Sequence, residues 1–161
     1  LCQKCGGHPT AGGFVVALEH LDELRNLILR IAQQELTDQD LIPELLIDLE
    51  VKGYEVNGRL MSELKLLEPF GEGNEAPLFL CRAVHVIGSR TSRDGRHLFL
   101  KIRPEGSTVL DAVLWEGGDN LLEPDTRLDL VFQPEEDTYY GYSTLRWRLH
   151  DYEERLDSCL Q

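Results

Sequence analysis

Long apolar runs are missing from this 161-residue sequence. No stretch approaches the ~20 residues that span a bilayer, so a membrane protein built on helices is not expected. Cysteine is scarce too. Cys2, Cys5, Cys81 and Cys159 are too few and too unevenly spaced for a secreted disulfide scaffold, which points to a reducing, cytoplasmic setting. Basic side chains are the third shortage: 16 Lys and Arg stand against 29 Asp and Glu, for a formal charge of −13. Taken whole, that balance argues against nucleic acid, because binding a phosphate backbone draws on Lys and Arg. No signal peptide is expected either. Residue 1 is Leu and a Gly-rich motif begins five residues later, so the chain is expected to be a piece of something larger. What is present is ordinary: 42% hydrophobic and 28% charged residues, at a length that suits one medium domain or two small ones.

The average charge hides a local reversal. Residues 1–81 carry a net −8 and residues 104–161 a net −10, whereas residues 82–103 carry +5, from Arg82, Arg90, Arg93, Arg96, Lys101 and Arg103 against Asp94. Exposed charges are screened beyond ~8 Å at physiological salt, so a basic patch acts locally within an acidic whole.

The Gly-rich opening runs into Phe14-Val15-Val16-Ala17-Leu18, which reads as a buried strand. Leu21, Leu24, Leu27, Ile28 and Ile31 then recur at three- and four-residue spacing and predict a helix over about 19–35. Ile47 to Val51 alternates apolar with acidic, the pattern of a strand with one wet face, and Leu60, Leu64 and Leu67 predict a short second helix stopped by Pro69 and Gly71. Beyond that loop, turn residues recur about every ten positions. Five short strands are expected, at about 78–88, 97–103, 108–115, 126–133 and 144–152. Such a set suits a small closed barrel, of which the OB-fold is the commonest five-stranded form; an SH3-like barrel or half a sandwich also fits.

Gly6-Gly7-His8 is the first candidate site. Glycines let backbone N–H groups approach an anion closely, and an imidazole beside them donates to a phosphate oxygen. The plainer alternative is a tight turn with a surface histidine. Cys2, Cys5 and His8 have spacing that zinc tolerates, but no fourth ligand is evident and no metal site is assigned.

The run Gly6-Gly7-His8-Pro9-Thr10-Ala11-Gly12-Gly13-Phe14 closely resembles the GGHxxAAGF motif of the DHHA1 domain in DHH-family phosphoesterases. Leu66-Leu67-Glu68-Pro69-Phe70-Gly71-Glu72-Gly73-Asn74-Glu75-Ala76-Pro77-Leu78-Phe79 resembles the junction of one branch of that family, the RecJ-type single-strand-specific exonucleases, where an OB-fold follows. Residues 139–151 are similar to the last strand of that OB-fold, although Leu145-Arg146-Trp147 replaces a Gln-rich stretch; Gly12 for Ala and Glu75-Ala76 for Asn-Pro are further departures. The resemblance implies an α+β chain: a partial DHHA1 α/β unit (1–68), a linker (69–77), a five-stranded OB-fold β-barrel (78–155) and a tail (156–161).

It implies further that the parent protein degrades single-stranded DNA 5′ to 3′ in repair and recombination. Mn²⁺ or Mg²⁺ would be held there by an N-terminal DHH domain. No Asp-His-His triplet occurs here, so this piece alone is expected to carry no cofactor and no activity, with single-stranded DNA and the DHH domain as partners. His8, with Gly6 and Gly7, would position a phosphate near the scissile bond. OB barrels bind single strands across their second and third strands and the flanking loops. On the second strand Leu98, Leu100 and Ile102 should point inward, leaving His97, Phe99, Lys101 and Arg103 outside. One loop should bring Arg90, Arg93 and Arg96, and the other Tyr139, Tyr140 and Tyr142. Against a DNA-binding face stand Asp111 on the third strand and Glu135, Glu136 and Asp137 in the second loop; a solvated face with rim tyrosines is the alternative. Trp115 and Trp147 read as core and rim residues.

Overall fold

The computed structural model describes residues 2–8, 11–138 and 141–155. They fall into two compact units, divided between Leu45 and Leu46. Among them no helix is long and apolar enough to cross a membrane.

In the first unit the Gly-rich segment is extended rather than looped. Strand β1 (Cys2–His8) pairs antiparallel with β2 (Ala11–Val16), setting Gly6 opposite Gly13, Gly7 opposite Gly12 and His8 opposite Ala11. A Cβ on Gly7 would lie 2.7 Å from the Ala11 carbonyl oxygen and 2.8 Å from the Gly12 Cα, so close backbone approach demands glycine at that position. The apolar end of β2 differs from the buried strand its composition suggests: Phe14 and Val15 are about half exposed. Helix α1 (Leu21–Glu35) forms where the periodicity predicts it, yet of its apolar stripe Leu24 alone is buried.

The second unit is a closed barrel. Strand β3 (Leu49–Glu50) leads in parallel onto β4 (Phe79–Thr91), and β4, β5 (Leu98–Arg103), β6 (Leu110–Leu114), β8 (Thr144–Glu154) and β7 (Arg127–Asp137) follow in that spatial order. Pairing of β4 with β7 closes the ring, and β6 lies parallel to β8 while the other barrel pairs are antiparallel. A five-stranded barrel joined in this way is the OB-fold. Its inward residues follow the period of two. Leu98, Leu100 and Ile102 are sealed on β5, Leu128, Leu130 and Phe132 on β7, and Trp147 and Leu149 on β8. Trp147 stacks on Phe132 with ring centroids 3.7 Å apart and planes 9° from parallel. Strand β4 bends around the barrel at a bulge, where Ala83 takes φ +55° and its N–H donates to Asp129 Oδ1 at 2.9 Å.

Residues 46–77 pack with the barrel. Val51 and Val56 enter its core, and helix α2 (Gly58–Leu64) lays Leu60 and Leu64 against it. The expected alternation over 47–51 gives a pairing of just two residues, with Ile47 and Leu49 exposed and Val51 buried. The intervening carboxylates act as ties: Asp48 Oδ2 accepts from the Leu78 N–H at 2.8 Å, and Glu50 Oε2 from Arg82 Nε at 3.0 Å. The junction motif is a tight turn. Gly71 and Asn74 exchange backbone hydrogen bonds of 2.9 and 3.0 Å around Gly73 at φ +79°, and Asn74 Nδ2 donates to the carbonyls of Leu67 and Pro69.

Candidate nucleic-acid interface

The outward residues of β5 and their neighbours on β4, β6, β7 and β8 enclose a groove of about 720 Å³. Its aromatic floor comes from alternation. With Leu98 and Leu100 turned inward, Phe99 faces out, and Trp115, one residue past β6, stands edge-on to it at 6.4 Å between centroids and 77°. Strand β4 runs further than its composition predicts, to Thr91, because the connection to β5 is a short turn. Ser92 and His97 close it backbone to backbone at 2.9 Å, and Ser92 Oγ bonds to the Asp94 carboxylate. Arg90 consequently lies on a strand rather than in the loop, in register with Phe99, and its guanidinium sits 4.3 Å above that ring.

The groove brings together Arg90, Phe99 and Lys101 from the expected set; Arg93, Arg96, His97, Arg103 and Tyr142 do not line it. Tyr139 and Tyr140 fall outside the described residues. His97 is turned to its own neighbourhood: its ring meets the edge of Trp115 at 4.8 Å, and its Nδ1 accepts from the Glu116 N–H at 3.2 Å. Arg93 and Arg103 are exposed at the turn and at the end of β5, and Tyr142 is exposed in the loop before β8. His8 is exposed at the tip of the first unit's hairpin.

Two groove residues were not singled out from the sequence, Trp115 as an aromatic surface and Arg146 as a cation. The signal for Arg146 is the alternation of β8: with Trp147 buried, its neighbours must face outward. Trp115 carried no comparable signal, since it lies beyond the end of its strand.

Most groove cations are already matched to carboxylates. Lys101 Nζ lies 2.7 Å from Asp111 Oδ1 on the facing strand. Arg146 is gripped by β7, with Nη2 2.6 Å from Glu135 Oε1 and Nη1 2.7 Å from Asp137 Oδ2, and it reaches within 6.0 Å of the Trp115 ring. Just outside, Arg96 Nη2 pairs with Glu116 Oε1 at 2.7 Å. The surface is thus an aromatic platform in a ring of alternating charge, able to stack a planar group and to offer cations to an anion that displaces a carboxylate. Among the described residues no three His, Cys, Asp or Glu side chains converge as metal ligands. The divalent metal implied by the motif resemblance finds no ligand set among them.

Barrel topology defines an OB-fold, with the aromatic groove beside its second and third barrel strands. Residues 47–151 match the RecJ OB domain family. The chain belongs to that family. It is 31% identical over 129 residues to the single-stranded-DNA-specific exonuclease RecJ of Bacillus subtilis (strain 168), covering 78% of this chain and 16% of that protein. It is 31% identical over 134 residues to the enzyme of the same name from Thermus thermophilus, covering 80% of this chain and 18% of the relative. The chain therefore spans less than a fifth of these curated relatives. The crystal structure of Thermus thermophilus RecJ in complex with Mg²⁺ superposes with a TM-score of 0.73 at 25% identity, over 97% of this chain and 24% of that one. The Mn²⁺ complex of the same protein gives 0.73 at 24%, over 97% and 22%.

Proposed function

We propose that this chain is the single-strand-binding part of a RecJ-type exonuclease, in which the barrel groove holds DNA while a separate DHH domain performs the hydrolysis. The observation that carries this reading is the Phe99–Trp115 platform with Arg90 stacked on it, since sequence-tolerant single-strand binding combines aromatic faces for bases with cations for the backbone. The relatives' name, single-stranded-DNA-specific exonuclease, supports the same substrate. In the full-length protein the DHH domain would supply the ligands for Mn²⁺ or Mg²⁺, hydrolysis would run 5′ to 3′, and the setting would be cytoplasmic DNA repair and recombination. The domain limits proposed from the resemblance are 1–68 for the DHHA1 part, 69–77 for a linker and 78–155 for the OB part, although the compact unit that holds the barrel begins at Leu46. His8, with Gly6 and Gly7, would position a phosphate in the full-length enzyme. His8→Ala should there lower turnover about tenfold or more with folding intact, because a lost charge-stabilising hydrogen bond in a water-excluded site costs about 2 to 4 kcal/mol.

The test on this chain is the anisotropy of a labelled single strand as salt is raised. Affinity should fall steeply, by ~0.7 in the log–log slope for each phosphate neutralised. The pairing of Lys101, Arg96 and Arg146 with carboxylates favours a second reading, a protein-docking module that avoids DNA. Absence of binding at every salt concentration would decide for it.

A further inference from the structure

The carboxylates around the groove are not equivalent. Glu135 and Asp137 hold Arg146 from two directions, with Nε and Nη2 both on Glu135 Oε1 and Nη1 on Asp137 Oδ2. Those side chains are between 20% and 30% exposed, and all three guanidinium nitrogens are engaged. A phosphate reaching Arg146 would have to break a largely desolvated, multidentate clamp, and such clamps are costly to open. The other two pairs are built differently. Lys101–Asp111 is a single contact between side chains 59% and 55% exposed; Arg96–Glu116 is two-pronged, with Nη2 on Oε1 at 2.7 Å and Nε on Oε2 at 3.4 Å, but joins side chains 62% and 63% exposed. Exposed pairs of this kind hold weakly, because water competes for both partners and salt screens them.

From this contrast we infer that Asp111 in the groove and Glu116 just outside it are built-in stand-ins for the strand's phosphates: each pairs with its cation until DNA binds and displaces it, while Glu135 and Asp137 stay on Arg146 as a fixed wall. The inference rests on reading the groove as the strand-binding face and adds to it which residues restrain affinity. Two features fit displacement. Asp111 and Lys101 face each other in register across β5 and β6, beside Phe99, so a base stacked on the platform would bring its own phosphate to Lys101. Glu116 takes φ +60°, a conformation costly for a side-chain-bearing residue, yet one that holds its backbone N–H on His97 and its carboxylate on Arg96. The expected behaviour is an acid-restrained groove, which binds single strands weakly enough for them to slide and excludes anions too weak to compete.

The experiment compares Asp111→Asn, Glu116→Gln and the control Glu63→Gln by anisotropy of labelled oligothymidylate over a salt series. Glu63 pairs with Arg59 at 2.8 Å on helix α2, an element that contributes no residue to the groove, whereas Glu116 adjoins Trp115 in its lining; the control thus removes the same charge from an exposed pair elsewhere. Each groove variant should tighten binding by about two- to fivefold, the worth of an exposed pair. Each should also steepen the salt slope by up to ~0.7, because the released cation then neutralises a phosphate without first giving up a carboxylate. The control should leave both quantities at the parental value. Equal tightening in all three variants would reduce the effect to overall charge and overturn the inference. Weaker binding in the groove variants would also overturn it, by making the carboxylates positioning groups for their cations. If neither parent nor variants bind at any salt, the strand-binding reading itself fails and takes this inference with it. Binding by the variants alone supports restraint in its strongest form.

Discussion

The two units of this chain present opposite relations between apolar sequence and burial. In the barrel, alternating residues become a sealed interior: Val84, Val86, Leu98, Ile102, Leu128, Leu130, Phe132 and Trp147 are fully buried. In residues 2–45 the apolar side chains are as regular, but Leu21, Leu27, Ile28 and Ile31 remain between 37% and 49% exposed and Leu24 alone is buried. The difference shows that periodicity specifies a local conformation, whereas burial needs a second surface. A closed ring of strands supplies that surface to itself. A two-stranded hairpin and one helix have too few faces to do so.

Truncation should break the comparison most sharply. Trp147→Ala removes the ring stacked on Phe132 and should cost about 3 to 5 kcal/mol, read as a fall in the denaturant midpoint. Ile31→Ala, on the exposed stripe, should change stability by no more than about 0.5 kcal/mol. Equal costs would mean that the α1 stripe is as well packed as the barrel. Trp147→Phe keeps the stack and deletes an indole N–H that has no hydrogen-bond partner among the described residues, so it should cost much less than alanine.

The cysteines separate the units in a second way. Cys81 is sealed in β4, and burial pushes its thiol up from 9.0 to about 11; Cys2 and Cys5 are exposed on the hairpin. A thiol whose pKa is raised by folding is neutral in both states below pH 9. Above that the unfolded chain ionises first, so stability is lost as pH rises from 9 toward 11, by about 2 to 3 kcal/mol. Cys81→Ser or Cys81→Ala should abolish that alkaline loss. A thiol reagent at neutral pH should modify Cys2 and Cys5 while sparing Cys81, and equal reactivity would contradict the sealed position.

Within the barrel, Phe99→Ala should weaken single-strand binding by about 1 to 3 kcal/mol and leave the salt slope nearly unchanged, since a stacked ring releases no counterions. Arg90→Ala should do two things, because the same guanidinium covers Phe99 and offers charge: it should weaken binding and flatten the slope by ~0.7. If both variants bind like the parent, the strand runs over another face.

Legibility followed the same division. The barrel strands are readable because the inward side is apolar and the period of two is uninterrupted on β5 and over Arg127–Phe132 of β7, so Phe99 and Lys101 can be placed outside from the sequence alone. Turn chemistry marked the strand ends less well: Arg90 looked like loop because Gly88 and Ser89 precede it, yet a bulge at Val86–Gly88 absorbs the glycine and lets β4 continue. Trp115 and the pairing of groove cations are not readable, because they depend on which strands become neighbours. Asp111 and Lys101 are ten residues apart and meet through register, and Glu135 and Arg146 meet across the β7–β8 pair. The Gly-rich run is ambiguous for a local reason: a phosphate loop and a close hairpin ask for the same glycines.

That ambiguity gives the smallest prediction. If the run is a hairpin, its glycines differ in need. A methyl on Gly7 would press on backbone atoms of Ala11 and Gly12 that have no side chain to swing aside, whereas around Gly6 there is nothing within 4 Å. Gly7→Ala should therefore open the hairpin locally, at a cost of about 1 kcal/mol read from faster amide exchange at Cys5, Gly13 and Phe14. Gly6→Ala should leave those amides as protected as before or slightly more so, since alanine in an extended segment reduces the freedom of the unfolded chain. A phosphate-cradling loop predicts another pattern. There the two glycines would be equally intolerant and the loss would appear in anion binding rather than in exchange, so the pair of substitutions decides which demand placed glycine at each position.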